Sequence, residues 1–153
     1  MATTLTRTHP LLTIPFSAAT DFTVLAEHCE TFAETLIDTD DPTLKMALCG
    51  RLNACLTLLH PTLLDPIPPH LIESLTVDKL PVTTPRFEPD CTELCHYCLA
   101  LTQTLAGQGF SSETDKHLSG LLYELIGYFS AEMKAPRWIR TADGVKFIDE
   151  VAV

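Results

Sequence analysis

Residues 112–134 of this chain, SETDKHLSGLLYELIGYFSAEMK, carry the strongest apolar pattern in the sequence. Apolar residues recur there at steps of three and four, which is the spacing of one buried face of an α-helix. Ser111 or Ser112 is placed to cap this helix, Ser112 and Asp115 approximate a capping box, and Pro136 ends it. The predicted buried face consists of Leu118, Leu121, Leu122, Leu125, Ile126, Phe129 and Met133. An element of this kind predicts a mainly α-helical fold.

Three earlier segments show the same helical spacing. We predict a first helix that begins at Ser17 or Thr20 and ends near Asp38, a second from 42 to 59, and a third from 89 to about 105. Their predicted buried faces are Phe22, Leu25, Cys29, Phe32 and Leu36 in the first helix, Leu44, Leu48, Leu52, Cys55 and Leu59 in the second, and Leu94, Leu101 and Leu105 with three cysteines in the third.

The segment between the second and third helices and the segment after the fourth are not predicted to form long helices. Residues 61–89 hold seven of the 11 prolines, which excludes a long helix and predicts an extended crossover with one short turn at 69–75. We expect its apolar side chains to pack against the helices, namely Ile67, Leu71, Leu75, Leu80 and Val82. In residues 137–148, two short runs of alternating polar and apolar residues flank an Asp-Gly pair, which predicts a β-hairpin.

The predicted architecture is therefore mainly α. It is an irregular helical bundle of about four main helices, with a Pro-rich crossover and a short C-terminal β-hairpin. Residues 1–16 are predicted to form an extended N-terminal arm, and residues 17–153 a single helical domain that includes the hairpin at 137–148.

Charge and composition restrict the function. The 153 residues include 20 acidic and 10 basic side chains, a net charge of −10, which repels phosphate backbones and disfavours direct nucleic-acid binding. No apolar run approaches the roughly 20 residues that span a bilayer, so no membrane association is expected. Six cysteines without an export signal predict reduced thiols and a cytoplasmic location.

The sequence Cys91-Thr-Glu-Leu-Cys95-His-Tyr-Cys98 matches the three-cysteine signature of radical SAM enzymes over eight residues. In that family the three thiolates hold an iron–sulfur cluster, on a loop that follows the first strand of a βα barrel. Here no alternation of strands and helices surrounds the motif. On a helix, Cys91, Cys95 and Cys98 share one face with Leu94 and Leu101, so we predict three small core residues.

Two other kinds of metal site have candidate ligands on this helix. Zinc has candidate ligands in Cys91, Cys95 and His96, or in Cys98 together with His28 or Cys29. Glu93 and His96 form a Glu-x-x-His pair of the type used by di-iron bundle proteins, which need two such pairs. The sequence lacks the second Glu-x-x-His pair of a di-iron site, and it lacks the two short ligand pairs on separate loops that are typical of structural zinc sites. We therefore predict no metal and no cofactor.

Two charged patterns indicate surfaces for a protein partner. Glu27, Glu30 and Glu34 lie at steps of three and four on the first helix, away from its apolar face. Such a row resembles the carboxylates with which DNA-mimic inhibitors imitate phosphates. Arg137, Trp138 and Arg140 form a cationic aromatic cluster at the hairpin, and arginine and tryptophan are favoured at interface hot spots.

A short acidic helical chain that ends in Pro136-Arg-Trp-Ile-Arg-Thr-Ala-Asp-Gly144 resembles uncharacterised accessory proteins of enterobacterial prophages and integrated elements. The resemblance implies no catalytic or binding residue. No phosphate-binding glycine loop, zinc-protease helix or dinucleotide motif is present in the sequence. We therefore predict a non-enzymatic interaction or regulatory protein with a protein partner or a homodimer. The alternatives are an acidic DNA-mimic inhibitor and a metal-binding protein that uses the cysteine helix.

Overall fold

The computed structural model describes residues 8–82, 86–107 and 109–150, and residues 1–7 of the predicted arm lie outside this description. The chain divides into two compact units, Met1–Leu80 and Pro81–Val153. The described residues form four α-helices and a two-stranded antiparallel hairpin near the C-terminus, which confirms the prediction of a mainly α fold. The prediction of a single domain from 17 to 153 stays a prediction.

The first unit is a helical hairpin of α1 (Phe22–Asp38) and α2 (Pro42–Leu59). Asp41 starts α2, since its carboxylate accepts a hydrogen bond from the Thr43 amide at 3.0 Å and Pro42 occupies the first turn. Short 3-10 turns follow at His60–Thr62 and Pro69–Leu71, and another precedes α1 at Pro10–Thr13.

The core of the first unit joins the predicted faces of α1 and α2. Its fully buried side chains are Leu25, Phe32, Leu48 and Cys55. Half-buried residues from α1, from α2 and from the segment before α1 pack around them. They are Leu11, Leu12, Phe16, Cys29, Leu36, Leu44, Leu52, Leu58 and Leu59. The apolar periodicity of the sequence therefore identifies the contact faces of both helices.

The second unit is a helical hairpin of α3 (Cys91–Ala106) and α4 (Ser112–Lys134). Asp90 caps α3 by accepting from the Thr92 and Glu93 amides at 2.7 and 2.9 Å. Ser111 caps α4 by accepting from the Thr114 amide, so the predicted capping box at Ser112 and Asp115 is replaced by a cap one residue earlier.

The core of the second unit is smaller than the sequence predicts. Leu94, Cys98 and Leu125 are buried, and Leu101, Leu122 and Phe129 pack against them. Three members of the predicted α4 face, Leu121, Ile126 and Met133, are exposed. The apolar face of α4 is wider than the surface that α3 covers, because one neighbouring helix occupies a narrow band of a helix surface.

The crossover packs less than predicted. Leu71 is buried in the 3-10 turn Pro69–Leu71, whereas Ile67, Leu75, Leu80 and Val82 are exposed. The expectation that all five side chains pack against the helices is therefore wrong for four of them. Prolines restrict this backbone to turns and extended segments, so its side chains do not share one face.

Strands β1 (Trp138–Thr141) and β2 (Gly144–Phe147) form the predicted hairpin. Trp138 pairs with Phe147 and Arg140 with Val145. Gly144 has a φ of 113°, which side chains other than glycine rarely adopt, and this explains the glycine in the two-residue turn.

Candidate functional site

The hairpin presents aromatic side chains to solvent. Trp138 and Phe147 pack edge to face with ring centroids 6.1 Å apart, and Trp138 is 63% exposed. Paired residues of an antiparallel ladder lie on one face, so Arg140 and Val145 extend the same surface. We call Trp138, Arg140, Val145 and Phe147 the hairpin face. The two rings cover each other, and most of the Trp138 surface stays accessible.

The end of α4 holds the hairpin in place through Arg137. Its Nη1 donates hydrogen bonds to the carbonyl oxygens of Met133 and Ala135, both at 3.0 Å. These bonds satisfy carbonyl groups that a helix end leaves unpaired. A role of Arg137 in partner binding stays a prediction.

The hairpin region is basic in an acidic chain. Lys134, Arg137, Arg140 and Lys146 are four of the ten Lys and Arg residues, and Asp143 is the one acidic residue between 134 and 147. Lys146 lies 3.6 Å from Asp143 across the turn. Arg140 lies on the hairpin face, whereas Lys146 pairs with Ile139 and therefore lies on the opposite face.

The predicted acidic row is exposed along one side of α1. Glu27, Glu30 and Glu34 are all exposed, and none of the ion pairs found among the described residues involves them. Like charges at these spacings repel each other and gain nothing within the helix. The three carboxylates therefore form an exposed strip of negative charge on α1.

The cysteines of α3 are core residues to different degrees. Cys98 is buried, Cys91 and Cys95 are half-buried, and the neighbouring His96 and Glu93 are exposed. Within residues 8–82, 86–107 and 109–150, no group of three or more His, Cys, Asp or Glu side chains is arranged to hold a metal ion. Metal binding by Cys91, Cys95, Cys98 and His96 stays an untested alternative.

One feature of the first unit is absent from the sequence predictions. Arg51 of α2 places its guanidinium 4.1 Å from the centre of the Phe16 ring and donates to the Ile14 carbonyl. Cys29, by contrast, packs against the core cluster that contains Cys55, as the predicted buried faces of the two helices require. The spacing of Arg51, three residues after Leu48 and four before Cys55, places it on the buried side of α2. A sequence pattern does not reveal that Phe16 lies opposite Arg51.

The electrostatics of Cys55 follow from its burial. Desolvation raises the pKa of the Cys55 thiol, and the neighbouring Cys29 raises it further by charge repulsion and a hydrogen bond. The Arg51 guanidinium partly opposes this increase in the pKa. Cys55 is therefore mainly a protonated thiol in the core at neutral pH.

A cavity of about 370 Å³ lies in the first unit, beside the start of α1. Asp21, which precedes α1, makes no cap bond with its side chain and instead lies 2.8 Å from His70. The mostly apolar lining comes from residues 18–22, 59, 62, 63 and 65–68. Its size suits a small molecule, and its two carboxylates, Asp21 and Asp65, are accessible to solvent.

No known protein family, curated protein or solved structure matches this chain. The resemblance to prophage accessory proteins therefore stays a prediction. None of the helices in the described part of the chain is long and apolar enough to cross a membrane.

Proposed function

We propose that this chain is a non-enzymatic interaction protein whose hairpin face binds an acidic protein partner. The observation that carries the proposal is the exposure of Trp138 on a two-stranded hairpin, next to Arg137, whose side chain donates to the end of α4. A large, rigid aromatic side chain loses little conformational entropy on binding and buries a large area.

The charge around Trp138 supports an acidic partner. Arg140 lies on the hairpin face, and Lys134 and Lys146 are close to it in sequence, while the whole chain carries a net charge of −10. Residues 134–147 thus carry a net charge of +3, from four cations and Asp143, and Asp149 and Glu150 follow shortly after them. Such a local charge speeds encounter with an acidic surface and disfavours basic surfaces.

The proposal is tested by capture with matched variants. Tagged protein is incubated with enterobacterial lysate at low salt, the retained proteins are identified by mass spectrometry, and the Kd is measured with the purified partner. Trp138→Ala should weaken binding by about 2 kcal/mol, which corresponds to about 30-fold in Kd. The loss of affinity caused by Arg140→Glu should be larger at low salt than at high salt, because salt screens the charge attraction.

The matched control is Tyr123→Ala, which removes an exposed aromatic side chain from α4 and leaves the hairpin intact. This variant should bind like the wild type. Equal capture of the partner by Trp138→Ala would overturn the proposal. Recovery of the protein alone, with a dimer mass that Trp138→Ala abolishes, would show that the hairpin face binds a second copy instead.

The exposed row on α1 favours a second candidate, an acidic decoy for a DNA-binding protein. Glu27, Glu30 and Glu34 lie about 4.5 and about 6 Å apart along the helix axis, a regular spacing of negative charge. A protein that binds a phosphate backbone through lysine and arginine would be attracted to such a row.

Neutralisation of the row tests this candidate. A variant with Glu27→Gln, Glu30→Gln and Glu34→Gln should lose a captured DNA-binding protein, and duplex DNA should displace that protein from the wild type. The control Glu73→Gln changes an exposed glutamate of the crossover by the same chemistry. Capture that survives both the triple substitution and added DNA would remove the decoy function.

A further inference from the structure

Cys29 and Cys55 come from different helices and meet in the core of the first unit. Cys29 lies between Leu25 and Phe32 on the inner face of α1, and it packs against the buried cluster to which Cys55 of α2 belongs. All six cysteines of the chain are free thiols in this structure. The side chains of Cys29 and Cys55 are close enough to form a hydrogen bond, and both belong to the surfaces with which α1 and α2 pack against each other.

We propose that Cys29 and Cys55 form a redox-active dithiol that a peroxide converts to an intramolecular disulfide between α1 and α2. The turn at 39–41 already joins the two helices, so the new bond closes a loop within one compact unit. Because the disulfide reduces the conformational entropy of the unfolded chain, it stabilises the helical hairpin.

The different exposure of the two thiols sets the order of the reaction. Cys29 is half-buried and reachable from solvent, whereas Cys55 is completely buried. Peroxide therefore meets Cys29 first, and Cys55 acts as the resolving thiol. Arg51 lies one turn before Cys55 on α2, and its positive charge partly opposes the rise in the pKa of the Cys55 thiol, which loses its proton as it attacks.

The two steps balance in atoms and electrons. In the first, the Cys29 sulfur attacks one peroxide oxygen, the O–O bond breaks, and Cys29 sulfenic acid and one water form. In the second, the Cys55 sulfur attacks the Cys29 sulfur, the S–S bond forms, the S–O bond breaks and a second water leaves. The dithiol has lost two electrons and two protons, and one hydrogen peroxide has been reduced to two waters.

Trypsin makes the product easy to identify. Cleavage after Arg7, Lys45, Arg51 and Lys79 places Cys29, Cys49 and Cys55 in three different peptides, each with one cysteine. The full-length reduced protein is treated with hydrogen peroxide, free thiols are blocked, and the digest is analysed by mass spectrometry without reduction. We expect one linked pair of peptides, 8–45 with 52–79, lighter by two hydrogen atoms than the separate peptides.

Two serine variants separate this pair from general thiol oxidation. Cys29→Ser should abolish the linked product and leave Cys55 reduced, while Cys49→Ser, at an exposed position of α2, should form the link like the wild type. The oxidised wild type should also unfold at a higher temperature than the reduced protein, and a reductant should reverse the shift.

The peptide map of the wild type decides the proposal even if a variant does not fold. Free Cys29 and Cys55 after the exposed Cys49 has been oxidised would overturn it. A link from either thiol to any other cysteine would overturn it as well.

Discussion

Arg51 brings a positive charge into contact with the aromatic core of the first unit. Its guanidinium lies 4.1 Å from the centre of the Phe16 ring and 5.8 Å from that of Phe32. It also donates to the Ile14 carbonyl, while its Nε is buried without a hydrogen-bond partner among the described residues. The residue therefore connects the segment before α1 to the α1–α2 hairpin through cation–π contacts and a hydrogen bond.

Replacing Arg51 by Met tests this connection, because methionine keeps an unbranched stem and loses the charge and the donors. The free energy of unfolding should fall by about 1–3 kcal/mol, as measured by urea unfolding followed by circular dichroism. Arg86→Met is the control, since Arg86 is exposed and pairs with the exposed Glu88 at 3.6 Å. Equal stability of the two variants would show that Arg51 contributes nothing at its position.

The raised pKa of Cys55 makes stability depend on pH in one direction. The folded state keeps a proton that the unfolded chain loses near the ordinary pKa of 9.0. The stabilising contribution is therefore complete below 9.0 and is lost as the pH rises through the higher folded pKa. Urea unfolding below and above this pH should show a steeper loss of stability in the wild type than in Cys55→Ala. Parallel pH profiles would contradict the raised pKa.

Helix caps and turn glycines define where the elements begin and end. Asp90 and Ser111 accept hydrogen bonds from first-turn amides of α3 and α4, and Gly144 supplies the positive φ of the hairpin turn. These are local interactions within four residues of sequence. They explain why the positions of the elements agree closely with the sequence patterns.

Glycine-to-alanine substitutions at two positions are expected to have opposite effects on stability. Gly144→Ala should destabilise the hairpin by about 1–3 kcal/mol, because its φ of 113° is strained for alanine. Gly120→Ala should stabilise α4 by about 0.5–1 kcal/mol, since an added Cβ there meets no atom within 4 Å. Trp138, the single tryptophan, reports on the hairpin by fluorescence, and circular dichroism reports on the helix. An unchanged Trp138 emission in Gly144→Ala would argue against the strained turn.

At the scale of the whole molecule, each compact unit has its own core. The cluster of the first unit is centred on Phe32 and Leu48, and that of the second on Leu94 and Leu125. Both cores are small and consist of two packed helices, so each depends on a few side chains. A single truncation in such a core removes a large share of its stability.

Leu48→Ala should therefore lower the stability of the first unit by about 2–5 kcal/mol, because Leu48 is completely buried. The labelling rate of the buried Cys55 thiol measures the opening of this unit and should increase. Leu64→Ala is the control, as its side chain is 98% exposed and its removal should leave Cys55 protected. Protection of Cys55 that is unchanged in Leu48→Ala would contradict the central position of Leu48 in this core.

The sequence by itself determined the local structure: four helices with their approximate ends, the turn-rich crossover and the Asp-Gly hairpin. It also located the exposed Trp138 and the acidic row on α1, because both follow from spacing along one element. Caps, proline restrictions and helical periodicity act over a few residues, so they are present in the sequence as patterns.

Only the tertiary structure decided which apolar residues are buried and which residues meet. Leu121 and Ile126 belong to a helical apolar face and yet are exposed, while Arg51 contacts Phe16, and Cys29 packs beside Cys55. These outcomes depend on which surface a second element covers. Periodicity identifies the face that each helix buries, but contacts between distant residues are set by how the elements pack, and no local interaction encodes that packing.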